Sequence, residues 1–232
     1  MKKKIIVVAP HPDDETLGCG GTIAKRLAEG CEIFVIVMTD GRNAFSKLFG
    51  ICSEPNPDEM VRMRRTEMNR AMKVLGVPVE NILFLGVEDG KIEDNVDVLA
   101  TKVLEILNEL QPVEIYFPYS GDYHRDHRAA CLILKDCLKR SSFSGIAYSY
   151  SVGQRFSRAR FFIAKLFTRF RNDLIFVDVS KYLPKKAAAI TEYESQTKII
   201  CARQKRPVIK NISKYLKEYE TYHLFYVKKA KR

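Results

Sequence analysis

Three of the four histidines lie in two short polar clusters that also contain carboxylates. Residues 11–15 read His-Pro-Asp-Asp-Glu, and residues 123–127 read Tyr-His-Arg-Asp-His. One imidazole with two adjacent carboxylates, and two imidazoles three residues apart, can converge on a divalent ion as a catalytic zinc site with an open position. One of the adjacent carboxylates can bind the metal while the other acts as a base toward the metal-bound water.

Each cluster also has a structural explanation. An HxxH spacing occurs at turns and helix starts. Consecutive acidic residues stabilise a helix N-terminus, which is the main role that we expect for Glu15. Because the two clusters together hold most of the histidines, the pattern favours a metal site over the structural explanations.

Short apolar runs alternate with amphipathic segments along the chain. The predicted strands are Ile5–Ala9, Ile33–Met38, Ile82–Leu85, Val113–Pro118, Ile146–Ser151 and Leu174–Val179. The predicted helices are Thr16–Glu29, Asp58–Leu75, Val96–Leu110, Arg128–Leu138 and Lys181–Tyr193. This alternation predicts an α/β fold, a Rossmann-like three-layer sandwich with a mostly parallel sheet. Both polar clusters follow predicted strands, where such a sheet binds its ligands.

The net charge of +11 is divided unevenly over the 232 residues. Residues 1–138 carry 17 basic and 22 acidic side chains, whereas residues 139–232 carry 22 basic and 6 acidic ones. With 46% hydrophobic and 29% charged residues, the chain is globular, and we expect one domain over 1–232. The absence of a signal-like segment, a membrane-spanning run and a CxxC pair predicts a cytoplasmic protein with reduced, mostly buried thiols.

A basic, phenylalanine-rich segment at 155–171 lies within residues 139–232, the basic portion of the chain. At helical spacing its apolar residues share one face, which is typical of a helix in an anionic membrane interface and also of a helix packed in a core or an oligomer interface. Peripheral contact with the inner face of a membrane and homo-oligomerisation therefore both stay open.

The two clusters resemble the motifs of the LmbE/PIG-L family of zinc-dependent N-deacetylases. Residues 9–24 read APHPDDETLGCGGTIA, and residues 122–127 read DYHRDH. Weaker similarities extend the resemblance over most of the chain, at Thr39-Asp40-Gly41, Arg64-x-x-Glu67, Gly86-x-x-Asp89-Gly90 and Lys186-x-x-Ala189-x-x-x-Tyr193-x-Ser195-Gln196. The resemblance implies removal of an acetyl group from an N-acetylated amino sugar or its small-molecule or lipid-linked conjugate.

The resemblance also implies a role for individual residues. It makes His11, Asp14 and His127 the ligands of Zn²⁺, although another divalent metal is an alternative. Asp13 becomes the general base, and His124 stabilises the tetrahedral oxyanion or protonates the departing amine. Asp126 orients a histidine, as is common around metal ligands. Arg64 and Asp89 match positions that contact the sugar, and the alternative for Arg64 is a surface pair with Glu67.

Two positions depart from the family pattern. Many relatives carry histidine in place of Tyr193, and an acidic residue often stands in place of His223. Both positions can line the substrate mouth, although His223 is also explained as a packed strand residue, which we favour.

Alternatives to a sugar deacetylase come from different classes. One is a zinc amidase acting on a non-sugar or thiol-conjugate amide. Another is a nucleic-acid-binding α/β protein, which the basic portion suggests but for which no known binding motif is present, so we expect no nucleic-acid partner. The run Gly18-Cys19-Gly20-Gly21 lacks the GxGxxG order of a dinucleotide site.

Overall fold

The computed structural model describes residues 2–152 and 174–227. Its seven strands are β1 (Lys4–Ala9), β2 (Glu32–Thr39), β3 (Ile82–Val87), β4 (Glu114–Pro118), β5 (Ile146–Tyr150), β6 (Leu174–Asp178) and β7 (Tyr219–Val227). Its α-helices are α1 (Asp14–Ala28), α2 (Ala44–Phe49), α3 (Pro57–Leu75), α4 (Val96–Leu110), α5 (Arg125–Arg140), α6 (Leu183–Thr191) and α7 (Glu194–Thr197). The segment 155–171 lies outside the described residues, so its interpretation stays a prediction.

The strands form one sheet in the order β3-β2-β1-β4-β5-β7-β6. The first five are parallel, and β7 runs antiparallel to both β5 and β6. The carboxyl ends of β1 to β5 therefore lie at one edge of the sheet, which the loops after β1 and β4 share. The predicted fold class, α/β with a mostly parallel sheet between helical layers, is confirmed.

Alternate residues of the central strands face opposite layers of helix. Ile6 and Val8 of β1 pack toward α4 and α5, whereas Ile5 and Val7 pack toward α1, α3 and α6. Because both faces of the sheet are covered, the central strands are apolar throughout rather than alternating with polar residues. This arrangement fixes the ends of β1 and β4 in a rigid core.

Two helices begin two or three residues earlier than the sequence predicts, and both shifts concern the polar clusters. The first, α1, begins at Asp14 rather than Thr16, and α5 begins at Arg125 rather than Arg128. Only Tyr123 and His124 of the second cluster are outside the helix, with His124 as the N-cap of α5. The predicted start of this helix at Arg128, which would leave the whole cluster in the preceding loop, is wrong because the polar residues of the cluster occupy the first turn before the apolar pattern starts.

Strand β7 and the short helices α2 and α7 were not predicted from the sequence. The remaining differences are smaller. The capping box between Asn56 and Glu59 starts α3, and Gly76, at a φ of 92°, ends it as predicted. The predicted helix Lys181–Tyr193 divides into a short 3₁₀ turn at Ser180–Tyr182 and α6.

The described residues contain no helix long and apolar enough to cross a membrane. All six cysteines are free, and three of them, Cys19, Cys131 and Cys137, are buried. The prediction of mostly buried thiols therefore holds for half of them.

Candidate metal centre and active site

The loop after β1 places its carboxylates through an unusual backbone conformation. Asp13 has a φ of 128°, a region that residues other than glycine rarely adopt. Its N–H donates to Glu15 Oε2 at 3.1 Å, and the Leu17 N–H donates to the Asp13 carbonyl at 2.9 Å. The backbone of Asp13 is thus held on both sides, and strain of this kind clusters at functional sites.

The three predicted metal ligands contact one another. Asp14 Oδ2 lies 3.1 Å from His11 Nδ1 and 3.1 Å from His127 Nε2. All three residues are 9% exposed or less. The loop after β1 and the first turn of α5 therefore bring two imidazoles to one carboxylate oxygen.

The ligand-capable atoms of the site form two groups that share His11. His11, His124 and His127 make one group, and His11, Asp89 and Asp126 make the other, each with all its ligand atoms within 4.8 Å. His11 Nδ1 faces Asp14, whereas His11 Nε2 lies 3.1 Å from Asp126 Oδ2. One nitrogen of His11 can therefore bind an ion while Asp126 orients the ring through the other.

The charges around these ligands favour a cation. Burial opposes protonation of His127, but Asp14 and Asp122 outweigh it and raise the pKa of His127 to about 9. Burial disfavours the charged form of Asp14 too, but His127 and His11 hold the pKa of that carboxyl well below its usual range. When no metal ion is bound, Asp14 and Asp122 therefore favour the protonated, positively charged form of His127. The mixed imidazole and carboxylate donors fit zinc or a similar divalent ion.

Asp13 lies beside the predicted ligands in a different environment. Burial, with the negative charges of Asp14 and Glu15, raises its pKa to about 7, although Arg64 opposes the shift. Arg64 Nη2 lies 3.3 Å from Asp13 Oδ2 and donates to the Pro12 carbonyl. A carboxyl group with a pKa near neutrality is suited to accept a proton and release it again.

The alternative interpretation of Arg64 as a surface residue is wrong. Arg64 and Glu67 are each 2% exposed. Glu67 accepts hydrogen bonds from the Ser195 N–H and Oγ, at 2.6 and 2.7 Å, rather than from Arg64. Helix α3 therefore presents Arg64 to the site and Glu67 to α7.

His124 and Asp89 complete the set of predicted site residues. The His124 ring centroid is 4.6 Å from that of His11, and burial together with the positive charges of His11 and His127 lowers the pKa of His124. Asp89 accepts from Lys47 Nζ at 2.8 Å and lies 3.5 Å from His11 Nε2. The structure therefore brings all eight predicted residues to one edge of the sheet.

Two buried residues support this centre in ways that local sequence patterns did not predict. Glu15, with no exposed surface, holds the Asp13 N–H and also accepts hydrogen bonds from Thr16 Oγ1 and the Tyr193 hydroxyl. Tyr193 is likewise fully buried, so the expectation that it lines the substrate mouth is wrong. His223 of β7 stacks on Tyr119, with their ring centroids 4.4 Å apart, which agrees with the packed-strand interpretation.

A buried ion pair joins α1 to the basic portion of the chain. Lys186 Nζ lies 2.6 Å from Glu220 Oε1 and also donates to the Leu17 carbonyl at 2.9 Å. Glu220 accepts the N–H groups of Gly21 and Thr22 at 2.9 and 2.7 Å.

The glycine run of α1 allows this close packing. A Cβ atom at Gly21 would lie 2.7 Å from Val179, one at Gly18 would lie 2.3 Å from the Tyr150 ring, and one at Gly20 would lie 3.1 Å from Lys186 Cγ. The glycines therefore serve helix packing rather than nucleotide binding.

Both the sequence and the fold are similar to those of known proteins. Residues 6–138, more than half of the chain, match the family profile described as PIG-L, GlcNAc-PI de-N-acetylase. A probable N-acetyl-alpha-D-glucosaminyl L-malate deacetylase 2 of Bacillus cereus is 31% identical over 135 residues, which are 56% of this chain and 58% of that protein. The match thus spans little more than half the length of that relative.

Two archaeal proteins match over a larger share of the chain. Diacetylchitobiose deacetylase of Thermococcus kodakarensis is 26% identical over 198 residues, covering 84% of this chain and 70% of that protein. The structure of N,N'-diacetylchitobiose deacetylase from Pyrococcus horikoshii superimposes with a TM-score of 0.72 and 21% identity, covering 96% of this chain and 84% of the other. The latter similarity concerns the fold.

Proposed function

Because the chain belongs to the PIG-L family of GlcNAc-PI de-N-acetylases, whose profile matches residues 6–138, we propose that it is a metal-dependent deacetylase of N-acetylated amino sugars or their conjugates. The observation that carries the proposal is the contact of His11, Asp14 and His127 through one carboxylate oxygen, with Asp13 next to them. Relatives named as deacetylases of amino-sugar compounds support an amide-hydrolysing enzyme.

The proposed metal ligands are His11, Asp14 and His127. A divalent ion bound there, which we propose to be Zn²⁺, supplies a Lewis acid that polarises the amide carbonyl and lowers the pKa of water. Asp126, which has no exposed surface and lies 3.1 Å from His11 Nε2, orients the His11 ring.

The proton transfers fall to Asp13 and His124. Asp13 takes a proton from the attacking water as the new C–O bond forms at the acetyl carbon. His124 stabilises the negative oxygen of the tetrahedral intermediate or donates a proton to the nitrogen as the C–N bond breaks. Acetate and a free amine result, and the proton gained by Asp13 balances the one that the amine acquires.

Arg64 and Asp89 lie next to these groups and are proposed to line the space for the sugar. Arg64 keeps Asp13 in place through the contact at 3.3 Å, and its Nε has no hydrogen-bond partner among the described residues. We propose that this N–H contacts a sugar hydroxyl. Asp89, 6% exposed and close to His11, is the proposed acceptor for a second hydroxyl.

Metal analysis combined with an acetate-release screen tests the proposal. We expect about one divalent ion per chain, acetate from one or more N-acetylated amino sugars, and loss of both metal and activity in His127→Ala. Asp13→Asn should retain the metal and lose activity, because an amide cannot accept the proton. An Asp13→Asn variant with wild-type activity would show that the base is another group.

The screen also covers the alternative substrates. It includes thiol conjugates and non-sugar amides, and acetate from these alone would replace the sugar in the proposal. Fluorescence polarisation with labelled DNA and RNA at physiological salt tests the nucleic-acid alternative, for which we expect no binding.

A further inference from the structure

Asp122 opens the second polar motif, DYHRDH, but is not among the predicted site residues. It lies in the loop between β4 and α5 and is 6% exposed. Its two carboxylate oxygens face two different histidines of the candidate metal centre. Oδ1 accepts the His124 N–H at 3.1 Å, and Oδ2 lies 3.1 Å from His127 Nδ1. One buried side chain thus contacts both histidines of this motif.

The contact with His127 is isolated from other polar groups. Both Asp122 Oδ2 and His127 Nδ1 are buried, and neither has another hydrogen-bond partner within residues 2–152 and 174–227. A buried polar atom that is left unpaired costs free energy. Because a carboxylate oxygen can only accept, the contact favours a proton on the Nδ1 atom of His127.

The carboxylate of Asp122 is carried on a fixed backbone. The Asp122 N–H donates to the carbonyl of Tyr119, the residue after β4, at 3.2 Å. The Asp122 carbonyl accepts from Arg128 Nη1 of α5 at 3.1 Å. Because these bonds join the loop to both β4 and α5, the carboxylate can hold the His127 ring in one orientation.

The surroundings of the two proposed histidine ligands are matched. His11 faces Asp14 with Nδ1 and Asp126 with Nε2, at 3.1 Å each. His127 faces Asp14 with Nε2 and Asp122 with Nδ1, also at 3.1 Å each. Each ring therefore has its own carboxylate on the nitrogen that points away from Asp14. The geometry makes Nδ1 of His11 and Nε2 of His127 the atoms available to an ion.

We propose that Asp122 is a positioning residue, which accepts the Nδ1 proton of His127 and so leaves Nε2 free to bind the metal ion. This inference rests on the proposed function, in which His127 is a metal ligand. An imidazole binds a metal ion through a nitrogen that carries no proton, so the ring must have the correct tautomer as well as the correct position. The contact of Oδ1 with the His124 N–H has a separate explanation, as a turn that precedes α5.

Two substitutions separate these two contacts. Asp122→Asn keeps an oxygen for the His124 N–H, but its amide N–H can face His127 Nδ1 and so favours the proton on Nε2. Asp122→Ser keeps a hydroxyl that can accept the His124 N–H, but it leaves His127 Nδ1 without an acceptor. The control is Asp136→Asn, which removes the same charge from an exposed position of α5.

The zinc affinity of the full chain tests the proposal. Bound metal is removed, and Zn²⁺ is then titrated in competition with a chromophoric chelator. We expect the Kd of Asp122→Asn and of Asp122→Ser to rise by about 10–100-fold, as is usual when the partner of a metal-bound histidine is lost. Asp136→Asn should bind zinc as the wild type does. Circular dichroism of the metal-free variants checks that they are folded.

A second measurement uses the wild type alone, so it does not depend on the folding of a variant. In the zinc-loaded chain, ¹H–¹⁵N correlation spectra of the histidine rings should show the remaining ring proton of His127 on Nδ1. A ring proton on Nε2 would mean that this atom does not bind the ion, and it would overturn the proposal.

The failures are distinguishable. Wild-type zinc affinity in Asp122→Asn or in Asp122→Ser would overturn the role of Asp122 and leave the metal centre in place, and so would an equal rise of the Kd in Asp136→Asn. A wild type that binds no zinc would overturn the metal centre and the positioning proposal with it. A wild type that binds zinc but releases no acetate would overturn the deacetylase proposal alone, because the affinities still decide on Asp122.

Discussion

Two clusters of buried charged residues, at different positions along α1, differ in how completely their polar atoms are hydrogen-bonded. At the start of the helix, Asp13, Asp14 and their neighbours leave buried atoms such as His124 Nδ1 and Asp126 Oδ1 without hydrogen-bond partners among the described residues. Further along, Lys186 and Glu220 satisfy each other and three backbone groups of α1. A satisfied pair stabilises one arrangement of the chain, whereas an unsatisfied cluster retains groups for a ligand.

The comparison also shows that residues 1–138, the acidic portion, and residues 139–232, the basic portion, contribute to the same part of the molecule. The predicted metal ligands all lie in the acidic portion, but Lys186, Tyr193 and Glu220, which hold α1 and Asp13 in place, all come from the basic portion. The basic portion of the chain therefore supports helix α1 and the loop before it.

The largest expected effect comes from breaking the satisfied pair. Lys186→Met leaves the Glu220 carboxylate buried without its counter-charge and should lower the free energy of unfolding by about 3–5 kcal/mol. Urea denaturation measures the change. The matched control is Lys185→Met at the adjacent exposed position, for which we expect a change within about 0.5 kcal/mol. Equal, small effects of the two variants would show that the pair is not a structural anchor.

A second change on the same pair sharpens this result. In Lys186→Met/Glu220→Gln the buried negative charge is gone, while the side-chain carbonyl of the introduced glutamine can still accept one backbone N–H of α1. The double variant should therefore be more stable than Lys186→Met alone, with a coupling free energy of about 1–3 kcal/mol between the two positions. Strictly additive effects in the urea series would contradict a direct interaction.

The unsatisfied cluster should respond in the opposite direction. Asp13→Asn removes one of three adjacent buried carboxylates, Asp13, Asp14 and Glu15, whose mutual repulsion destabilises the metal-free fold. In chelator-treated protein at pH 8 we expect the free energy of unfolding to rise by about 1 kcal/mol, in keeping with the trade-off between stability and activity at functional sites. A loss of stability would mean that the contact between Asp13 and Arg64 outweighs the repulsion.

Local pattern predicted six of the seven strands that the structure describes, but not β7 or the short helices α2 and α7. Both ends of α4 agree with the prediction, because its apolar spacing begins and ends sharply. The start of α5 was misplaced because Arg125, Asp126 and His127 are polar residues in its first turn, so they carry no apolar periodicity. A prediction based on the burial of apolar residues therefore misses a first turn that is made of polar residues.

Contacts between distant segments were beyond sequence reasoning. The pair of Lys186 with Glu220 and their bonds to Leu17 and Gly21 join positions up to 199 residues apart, and only the insertion of β7 between β5 and β6 brings them together. Likewise, the hydroxyl of Tyr193 reaches Glu15 because α6 packs on α1. No local signal indicates either partner.

The smallest expected effect is the pH dependence of the satisfied pair. Burial alone would raise the pKa of Glu220, but Lys186 and the hydrogen bonds from Thr22 and Gly21 outweigh it and lower the pKa from the usual 4.5. A carboxyl group with a lowered pKa stabilises the fold fully above the unfolded value, and this contribution is lost as the pH falls through the folded value. Between about pH 6 and pH 3.5 the wild type should therefore lose more stability than Glu220→Gln, in urea titrations at matched ionic strength. Because all other carboxyl groups are common to both proteins, parallel losses would show that folding does not shift the pKa of Glu220, and would contradict its stabilisation by Lys186.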